Sequence, residues 1–318
     1  MFPLLEEEKS LYGGHSKPDS NASFSLVSLF SGCGGFDLGF VGDFWFGGKY
    51  FERLPFDICW ANDIDEAACD TYRRNLGSNI TCGDITSLLS ELPPKADVLI
   101  GGFPCQDVSI NGSKAANEGT RSTLYRAMHD AIRRTNPRIF VAENVSGILM
   151  AHSTELFSEM MTGFEELGYS VSIKEYLAAD YGVPQMRKRV LFVGTKKKKK
   201  KFEHPDAILE PAEWLTVKAA IADLELLEET PEFNHIWSKA KPSPLQGQRR
   251  LSANKPSTTI RAECHGNQQF HYARDRRISL REAARLQSFP DTFEFTGGMR
   301  RTERQIGNAV PPVLAWHL

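Results

Sequence analysis

A short apolar strand that runs directly into a glycine turn is the feature that most limits the folds open to this chain. The predicted strand covers residues 25–30, the turn is Gly32-Cys33-Gly34-Gly35, and Phe36 opens a predicted helix. Glycine lets a backbone turn tightly and approach a ligand closely. A strand, a glycine turn and a helix in this order are typical of nucleotide-binding folds. The spacing differs from the dinucleotide pattern GxGxxG, so a purely structural turn remains the alternative.

Further apolar runs recur along the first two thirds of the chain, with helical patterns between them. This alternation predicts an α/β fold, in which helices cover a mostly parallel, Rossmann-like sheet. The predicted strands cover residues 58–61, 97–100, 139–142 and 190–193, and two of the predicted helices cover residues 65–75 and 123–134.

The alternation stops at Thr195, which predicts a second, smaller and irregular domain. Residues 196–275 are rich in Pro, Lys, Asn and Gln. Residues 279–287 are predicted to form a helix, with Ser279 as its N-cap and Glu282 completing a capping box. A further helix after Pro312 is expected to pack back onto the first domain. We therefore expect the smaller domain to be inserted near the C-terminus.

Composition and cysteine spacing narrow the classes of protein. The chain has 318 residues, of which 41% are hydrophobic. Because we find no export signal and no uninterrupted apolar segment of membrane-spanning length, we expect a cytoplasmic protein without a membrane partner. The six cysteines form no CxxC pair and have no zinc-like spacing, so we expect free thiols and no metal.

Charge is distributed unevenly between the two parts. Residues 1–195 hold 17 basic and 25 acidic side chains (net −8), and residues 196–318 hold 21 basic and 15 acidic ones (net +6). A basic second part favours contact with an anion such as nucleic acid. Six of its basic residues form one lysine run at positions 196–201, however, and a solvated loop is the alternative interpretation of that run.

A candidate nucleophile follows the predicted strand 97–100. Ligands of open α/β sheets bind beyond the carboxyl ends of the strands, where Cys105 is expected. A small buried cysteine is the alternative. Pro104 restricts the turn, and the polar residues 106–121 resemble a lid over a reactive group. Since a thiol with a pKa near ~8.5 is mostly protonated at neutral pH, a nucleophilic Cys105 needs positive neighbours, for which Arg187 and Arg189 are candidates.

Three polar residues follow neighbouring predicted strands. Asp63 could accept hydrogen bonds from ribose hydroxyls, with a solvated turn acid as the alternative. Glu143, held protonated in a closed site, could donate to a ring nitrogen. Asn144 is a candidate positioning residue, and helix capping is the alternative for it.

Six ordered segments of the chain resemble the cytosine-5 DNA methyltransferase family of bacterial restriction-modification systems. The resemblance extends from Leu26 to Pro312. The segments are Leu29-Phe30-Ser31-Gly32-Cys33-Gly34-Gly35-Phe36, Gly102-Phe103-Pro104-Cys105-Gln106, Glu143-Asn144-Val145, Gln185-Met186-Arg187-Lys188-Arg189, the segment from Arg281 to Asp291, and Gly307-Asn308-Ala309-Val310-Pro311-Pro312.

This resemblance implies a reaction and a domain plan. It implies transfer of a methyl group from S-adenosylmethionine to carbon 5 of a flipped-out cytosine in a specific DNA duplex, leaving S-adenosylhomocysteine. Residues 1–195 and 305–318 would form the catalytic and cofactor-binding domain, residues 196–275 the target-recognition domain, and residues 276–304 a bridging segment. The protein would act as a monomer, paired in function with a restriction endonuclease.

The resemblance also assigns residues to the reaction. Cys105 would bond to carbon 6 of the base, Glu143 to N3, and Arg187 with Arg189 would hold the base carbonyl and the loop; Asn144, Pro104 and Gln106 complete the catalytic set. Two departures from the family occur: Ser28 stands where many relatives have an aspartate, and the pair Asp63-Ile64 replaces the commoner glutamate and tryptophan. The implied cofactor pocket consists of Phe30, Gly32, Cys33, Gly34, Gly35, Asp63, Ile64, Asp84, Ile85, Pro104, Leu124, Asn308 and Val310.

The residues expected to contact DNA lie mainly in the second domain. Arginine and lysine are suited to phosphates, and histidine and amide side chains to the base edges of the major groove. An ordinary polar surface loop is the alternative for each of them. The candidates are Ser109, Arg249, Arg250, Lys255, Arg261, His265, Asn267, Gln268 and Gln269.

Three other functions compete with this interpretation. An RNA cytosine methyltransferase would have a shorter recognition region and a threonine after Cys-Phe, whereas this chain has Cys105-Gln106. An inactive DNA-binding regulator would not need Cys105, Glu143, Arg187 and Arg189 all to be intact. A small-molecule methyltransferase would not need the long basic segment after Thr195.

Overall fold

A seven-stranded sheet forms the centre of the computed structural model, which describes residues 23–103, 123–149, 154–197, 199–239, 250–262 and 269–318. The strands, in chain order, are β1 (Phe24–Leu29), β2 (Phe44–Phe46), β3 (Lys49–Phe51), β4 (Phe56–Asp63), β5 (Ile80–Cys82), β6 (Val98–Gly102), β7 (Ile139–Asn144), β8 (Tyr169–Leu177), β9 (Gln185–Met186), β10 (Lys188–Lys196) and β11 (Ser257–Thr258).

Helices connect most of these strands. The α-helices are α1 (Gly35–Val41), α2 (Glu66–Leu76), α3 (Ile85–Leu88), α4 (Thr123–Thr135), α5 (Thr154–Glu166), α6 (Val217–Ile221), α7 (Leu280–Leu286), α8 (Met299–Asn308) and α9 (Pro312–Trp316). Short 3-10 turns cover Leu89–Glu91, Ser146–Leu149, Ala178–Tyr181, Ala222–Leu224 and Pro231–Phe233. None of the helices in the described ranges is long and apolar enough to cross a membrane.

The sheet has the order β5-β4-β1-β6-β7-β10-β8. The first five strands are parallel, whereas β10 runs antiparallel to both β7 and β8. The predicted mostly parallel α/β sheet is therefore confirmed. We call the edge at which β1, β4, β6 and β7 end the carboxyl edge, and the opposite one the amino edge. Because β10 is antiparallel, it begins at the carboxyl edge and ends at the amino edge.

Two strands of the sheet are absent from the sequence prediction. β8 carries polar side chains among its apolar ones and is the outermost strand, so it lacks the continuous apolar run of a central strand. β5, at the other end of the sheet, has three residues. Both are edge strands, which need less apolar surface than strands buried on two faces.

The sheet separates two hydrophobic clusters because side chains alternate along each strand. Val27 and Leu29 of β1 belong to one cluster, and Leu26 belongs to the other. The cluster of Leu26 also contains Leu251 and Ile260, from the segment predicted to be a separate domain. The recognition segment thus shares packing with the sheet domain, and its boundaries remain a prediction.

Local signals correctly predicted several helix ends. Ser279 accepts a hydrogen bond from the backbone N–H of Glu282, and the Glu282 carboxylate accepts from the backbone N–H of Ser279, which completes the predicted capping box of α7.

Helix α9 packs against α1, as expected for a chain that returns to the first domain after Pro312. A Cβ added to Gly39 of α1 would lie 2.6 Å from the Pro312 carbonyl oxygen, so glycine is needed at this contact.

Candidate active site

The glycine turn lies at the carboxyl edge and is fixed by the end of the neighbouring strand. The backbone N–H of Gly32 donates to one carboxylate oxygen of Asp63 (2.7 Å), and that of Asp65 donates to the other (2.9 Å). Gly32 and Gly34 have φ angles of 56° and 94°, which side chains strain to adopt. Burial raises the pKa of the Asp63 carboxyl. Asp63 therefore holds the turn, and its remaining lone pairs can still accept from a ligand.

The last sequence motif packs directly onto this turn. A Cβ on Gly35 would lie 2.6 Å from the Val310 carbonyl oxygen. The buried Cys33 thiol donates to the Gln305 carbonyl oxygen (3.7 Å), and burial raises its pKa. Cys33 is thus a packing residue, and segments far apart in the sequence form one wall.

The other predicted cofactor residues that the structure describes surround the same part of the carboxyl edge. Phe30 is half-buried at a φ of 53°, and the Ile64 side chain is 71% exposed. Asp84 caps α3 by accepting from Thr86 (2.9 Å), and Ile85 is buried beneath it. Leu124 is half-buried, Val310 buried and Asn308 exposed; Pro104 lies outside the described residues.

A second group of polar residues lies where β6, β7 and β10 meet. Arg189 Nε donates to Glu143 Oε1 at 2.6 Å, and both side chains are nearly buried, with 12% and 11% of their surface exposed. A Cβ on Gly102 would lie 2.9 Å from Glu143 Oε2. The carboxylate thus lies above the end of β6, and a glycine at position 102 leaves room for it.

Asn144 fixes the chain at the end of β6. Its Nδ2 donates to the Phe103 carbonyl oxygen (3.2 Å), and its Oδ1 accepts from the backbone N–H of Val145 (2.8 Å). Cys105 follows Phe103 by two positions in the sequence, but Pro104, Cys105, Gln106 and the predicted lid lie outside the described residues.

Arg187 is placed differently from the expectation. Its guanidinium is 1% exposed and donates to the carbonyl oxygens of Ile260 (3.0 Å), Gly307 (2.9 Å) and Ala309 (3.0 Å). Burial lowers its pKa, as does the charge of Arg189 nearby. Both terminal nitrogens of the Arg187 guanidinium therefore donate to backbone carbonyls of the protein, and not to a base carbonyl as expected.

Two glutamines to which the sequence analysis assigned no role join the same segments that Arg187 joins, around Ile260 and Ala309. Gln185 Nε2 donates to Gln287 Oε1 (2.5 Å) and to the Leu286 carbonyl oxygen (2.9 Å), while its Oε1 accepts from the Ile260 N–H (2.9 Å). Gln287 in turn donates to the Ala309 carbonyl oxygen (2.7 Å). Both lie within segments already singled out, but their partners are tertiary and could not be identified from spacing.

A buried carboxylate beneath the glycine turn was also missed. Asp37 of α1 is fully buried and accepts from the Tyr72 hydroxyl (2.8 Å). Burial raises its pKa to about 6, against hydrogen bonds from Tyr72 and Ser28 that lower it. The Ser28 hydroxyl accepts from Ser31 in the turn (2.8 Å). Polar Ser28, at a position where the family often has aspartate, thus lies beside a carboxylate supplied by Asp37.

The candidate DNA-contacting residues have different environments. Arg261 and Lys255 are exposed. Arg250 donates to the carbonyl oxygens of His271 (2.8 Å) and Arg274 (2.7 Å), and Gln269 is 5% exposed and donates to Thr258. Ser109, Arg249, His265, Asn267 and Gln268 lie outside the described residues. In the described ranges, no group of three or more His, Cys, Asp or Glu residues could hold a metal ion.

Comparison with known proteins identifies the family. The model of the C-5 cytosine-specific DNA methylase family matches residues 24–243 and 234–318. The chain belongs to this family. It is 36% identical to the Type II methyltransferase M.NgoFVII of Neisseria gonorrhoeae, over 97% of this chain and 87% of that protein. It is 32% identical to M.BbvI of Brevibacillus brevis, over 91% and 88% of the two chains.

A solved structure supports the fold of this DNA cytosine-5 methyltransferase. A protein from an E. coli prophage, assigned as a DNA modification methyltransferase, superimposes with a TM-score of 0.70 at 25% identity, over 93% of this chain and 97% of that one. Family membership confirms the predicted DNA cytosine-5 methyltransferase activity, and it implies S-adenosylmethionine as methyl donor.

Proposed function

We propose that this methyltransferase modifies cytosine through a covalent bond between Cys105 and carbon 6, in a base flipped out of a specific duplex sequence. The observation that supports this most is the Glu143–Arg189 ion pair above Gly102, at the end of the strand that leads into Pro104 and Cys105. A carboxyl group and a guanidinium are suited to the polar edge of a pyrimidine.

The chemistry of cytosine requires such an arrangement. Carbon 5 is a weak nucleophile until a thiolate adds to carbon 6, which pushes electrons through the ring toward N3 and carbon 5. Glu143, which would take up a proton once the bound base closes the site, would donate that proton to N3 as charge develops there. Arg189 would orient that carboxyl group and hold the base carbonyl. Carbon 5 would then bond to the methyl group. Loss of the carbon 5 proton to a water molecule would break the bond between carbon 6 and Cys105, and N3 would return its proton to Glu143, which restores the aromatic ring.

Asn144 and Arg187 would act as positioning residues in this scheme. Asn144 binds the carbonyl of Phe103, immediately before the proposed nucleophile segment. Arg187 binds carbonyls from the recognition segment and from the end of α8. The target base is stacked inside a duplex, so it must be flipped out at a cost of a few kcal/mol. A rigid junction between the two segments would help to hold it there.

The carboxyl edge around β1 and β4 is suited to S-adenosylmethionine. That cofactor, when bound, supplies the methyl group as a sulfonium. The exposed Ile64 and half-buried Phe30 offer apolar surface to an adenine, and Asp63 has free lone pairs for ribose hydroxyls. Asp84, Ile85, Leu124, Asn308 and Val310 would complete the pocket, while the glycines of the turn allow close approach of the backbone.

We further propose that the enzyme protects host DNA against a restriction endonuclease and acts as a monomer. Type II methyltransferases are the relatives at 36% and 32% identity. Of the DNA candidates, Lys255 and Arg261 are available as exposed cations, whereas Arg250 and Gln269 support the recognition segment through their internal bonds.

Replacement of Cys105 tests the mechanism. Duplex DNA and labelled S-adenosylmethionine are incubated with wild type, Cys105→Ala and Cys59→Ala, the last removing an exposed free cysteine on β4 as a control. We expect labelling by wild type and Cys59→Ala and none by Cys105→Ala. Equal labelling by all three would refute the nucleophile assignment.

A trapping experiment tests the covalent step separately. Once methylated sites have been mapped in genomic DNA, a duplex carrying 5-fluorocytosine at the target position should form a denaturation-resistant complex, because fluorine cannot leave as a proton does. Absence of this complex with wild type, while ordinary DNA is methylated, would contradict the mechanism.

A further inference from the structure

The lysine run of this chain lies at the edge of the sheet that faces away from the candidate active site. Arg189, near the start of β10, pairs with Glu143 at the carboxyl edge. Thr195, near its end, lies opposite Ile139, the first residue of β7. The seven residue-to-residue steps from Arg189 to Lys196 span about 23 Å at the usual rise of a strand. Residues 196–201 therefore begin at the amino edge.

Backbone contacts bring other cations to this edge. The Lys197 N–H donates to the Gly168 carbonyl oxygen (3.0 Å), and the Ala96 N–H donates to that of Thr135 (3.1 Å). Gly168 precedes β8, and Lys196 at the end of β10 donates from Nζ to Asn136 Oδ1 in the segment before β7. The segments before β6, β7 and β8 and the segment after β10 are thus neighbours. We call their exposed cations the lysine surface: Lys95, Arg138, Lys197, Lys199, Lys200 and Lys201.

The acidic residues nearby neutralise this surface incompletely. Asp97 is bound by Ser25, Asp130 pairs with Arg133 (2.8 Å), and Glu203 pairs with Lys200 (2.8 Å). Glu165 and Glu166 are exposed at the end of α5. Lys197, Lys199 and Lys201 have no ion-pair partner among the residues that the structure describes. The surface therefore keeps a local excess of positive charge.

We propose that the lysine surface is a second DNA-contact site, which binds the phosphate backbone of a duplex segment other than the one in the active site. Clustered lysines bind duplex DNA by displacing its counterions, without regard to sequence. The inference rests on DNA being the substrate of this enzyme, and it is independent of the role of Cys105.

Geometry determines which DNA can occupy both sites. DNA has a persistence length of about 150 base pairs, so a short duplex held at the carboxyl edge cannot bend back across about 23 Å of protein to the amino edge. A long molecule can supply a distant segment, whose tethering raises its effective concentration at the second site. The surface should therefore favour long DNA over short DNA carrying the same target sites.

DNA length provides the test. Initial rates of methylation are measured on intact phage genomic DNA and on the same DNA sheared to about 50 base pairs, a third of the persistence length. The enzymes compared are wild type, Lys197/Lys199/Lys201→Gln, and a control variant, Lys49/Arg73/Arg74→Gln. The control also loses three exposed positive charges, but from β3 and α2.

We expect wild type and the control to methylate intact DNA faster per site than sheared DNA. In the lysine variant this ratio should fall toward one, with the rate on sheared DNA unchanged. Its affinity for intact DNA should also depend less steeply on salt, by up to about 0.9 in the log–log slope for each lost contact.

Three results would overturn the proposal. An unchanged ratio in the lysine variant would show a merely solvated surface. An equal loss on both DNA lengths would place the effect at the active site or in folding, and an equal change in the control variant would indicate bulk charge. The salt dependence of DNA affinity is measured without catalysis, and so it can also be measured in the Cys105→Ala enzyme. A failure of the Cys105 mechanism and a failure of this proposal can therefore be told apart.

Discussion

Arg187 and Arg189 are two positions apart, yet Arg187 bonds to backbone carbonyls and Arg189 pairs with Glu143. Substitution of each by lysine should therefore affect stability in one case and the reaction in the other. Lysine keeps the charge but loses the planar fork of donors. In Arg187→Lys, one ammonium replaces a guanidinium that donates to three carbonyl oxygens. The Ala309 oxygen keeps its bond from Gln287, so if the ammonium reaches one of the other two carbonyls, one buried carbonyl loses its partner. The free energy of unfolding should therefore fall by about 1–3 kcal/mol.

Arg189→Lys should instead affect the reaction. Its Nε lies 2.6 Å from Glu143, and the ammonium of lysine keeps the attraction but not the fixed orientation of that carboxylate. We expect kcat to fall by about 100-fold or more, a loss of about 2.7 kcal/mol, with a smaller effect on stability. For Arg187→Lys, kcat measured well below the unfolding transition should fall by less than about tenfold.

Urea unfolding and methylation kinetics on the same preparations provide the two measurements. The reasoning fails if Arg187→Lys unfolds like wild type while its kcat falls as far as that of Arg189→Lys. Arg187 would then contact the base, as the sequence alone suggested, and the three carbonyl bonds would not describe the working enzyme.

Three further substitutions test other parts of the structure. Asp37→Asn is neutral at every pH, so as pH rises from about 4 to about 7 the wild-type free energy of unfolding should fall relative to that of the variant. The raised pKa of Asp37, about 6 against a usual 3.8, sets the limit at about 3 kcal/mol, and parallel urea-denaturation curves across this range would contradict it. Gly307→Ala would place a Cβ 2.6 Å from the Ala262 Cα and should destabilise the protein by about 1–3 kcal/mol, measured by thermal unfolding. In the control, Gly298→Ala, the added Cβ meets open space. Equal melting temperatures of the two variants would refute the packing argument. Asp223→Asn removes the negative charge and one of the two oxygens that accept from Arg285 at 2.6 and 2.8 Å, while Asp291 remains. The KM for DNA should therefore rise more than that for S-adenosylmethionine. A larger rise for the cofactor, or an equal effect of exposed Asp206→Asn, would count against a role in holding the recognition segment.

The carboxyl edge could be predicted from the sequence because each candidate follows an apolar run. Asp63, Glu143 and the glycine turn all lie where a parallel strand ends, and parallel strands present their ends at one edge of a sheet. The capping box of α7 could also be predicted, because its two residues lie within four positions of each other in the sequence. Predictions of this kind depend on strand direction and local spacing.

The division of roles between the two arginines could not be predicted in this way. Alternation along a continuous strand would place residues 187 and 189 on the same face. Instead, Arg187 lies between β9 and β10, where its N–H donates to the Gln185 carbonyl oxygen (2.9 Å) and the strand is interrupted. The interruption turns its side chain toward carbonyls from segments more than 70 residues away, which no local pattern encodes.

The net charge of the second part does not by itself indicate a basic recognition domain, for a topological reason. The excess of six positive charges after Thr195 suggested a basic recognition domain, but six of the 21 basic residues are the run 196–201, and the other 15 are balanced by 15 acidic ones. Because β10 is antiparallel to β7, that run begins at the amino edge, about 23 Å along β10 from Arg189. Residues 202–318 are therefore neutral in sum. We therefore expect contact with the target duplex to depend on where individual cations such as Lys255 and Arg261 lie, because the charge excess itself belongs to a run that begins at the opposite edge of the sheet.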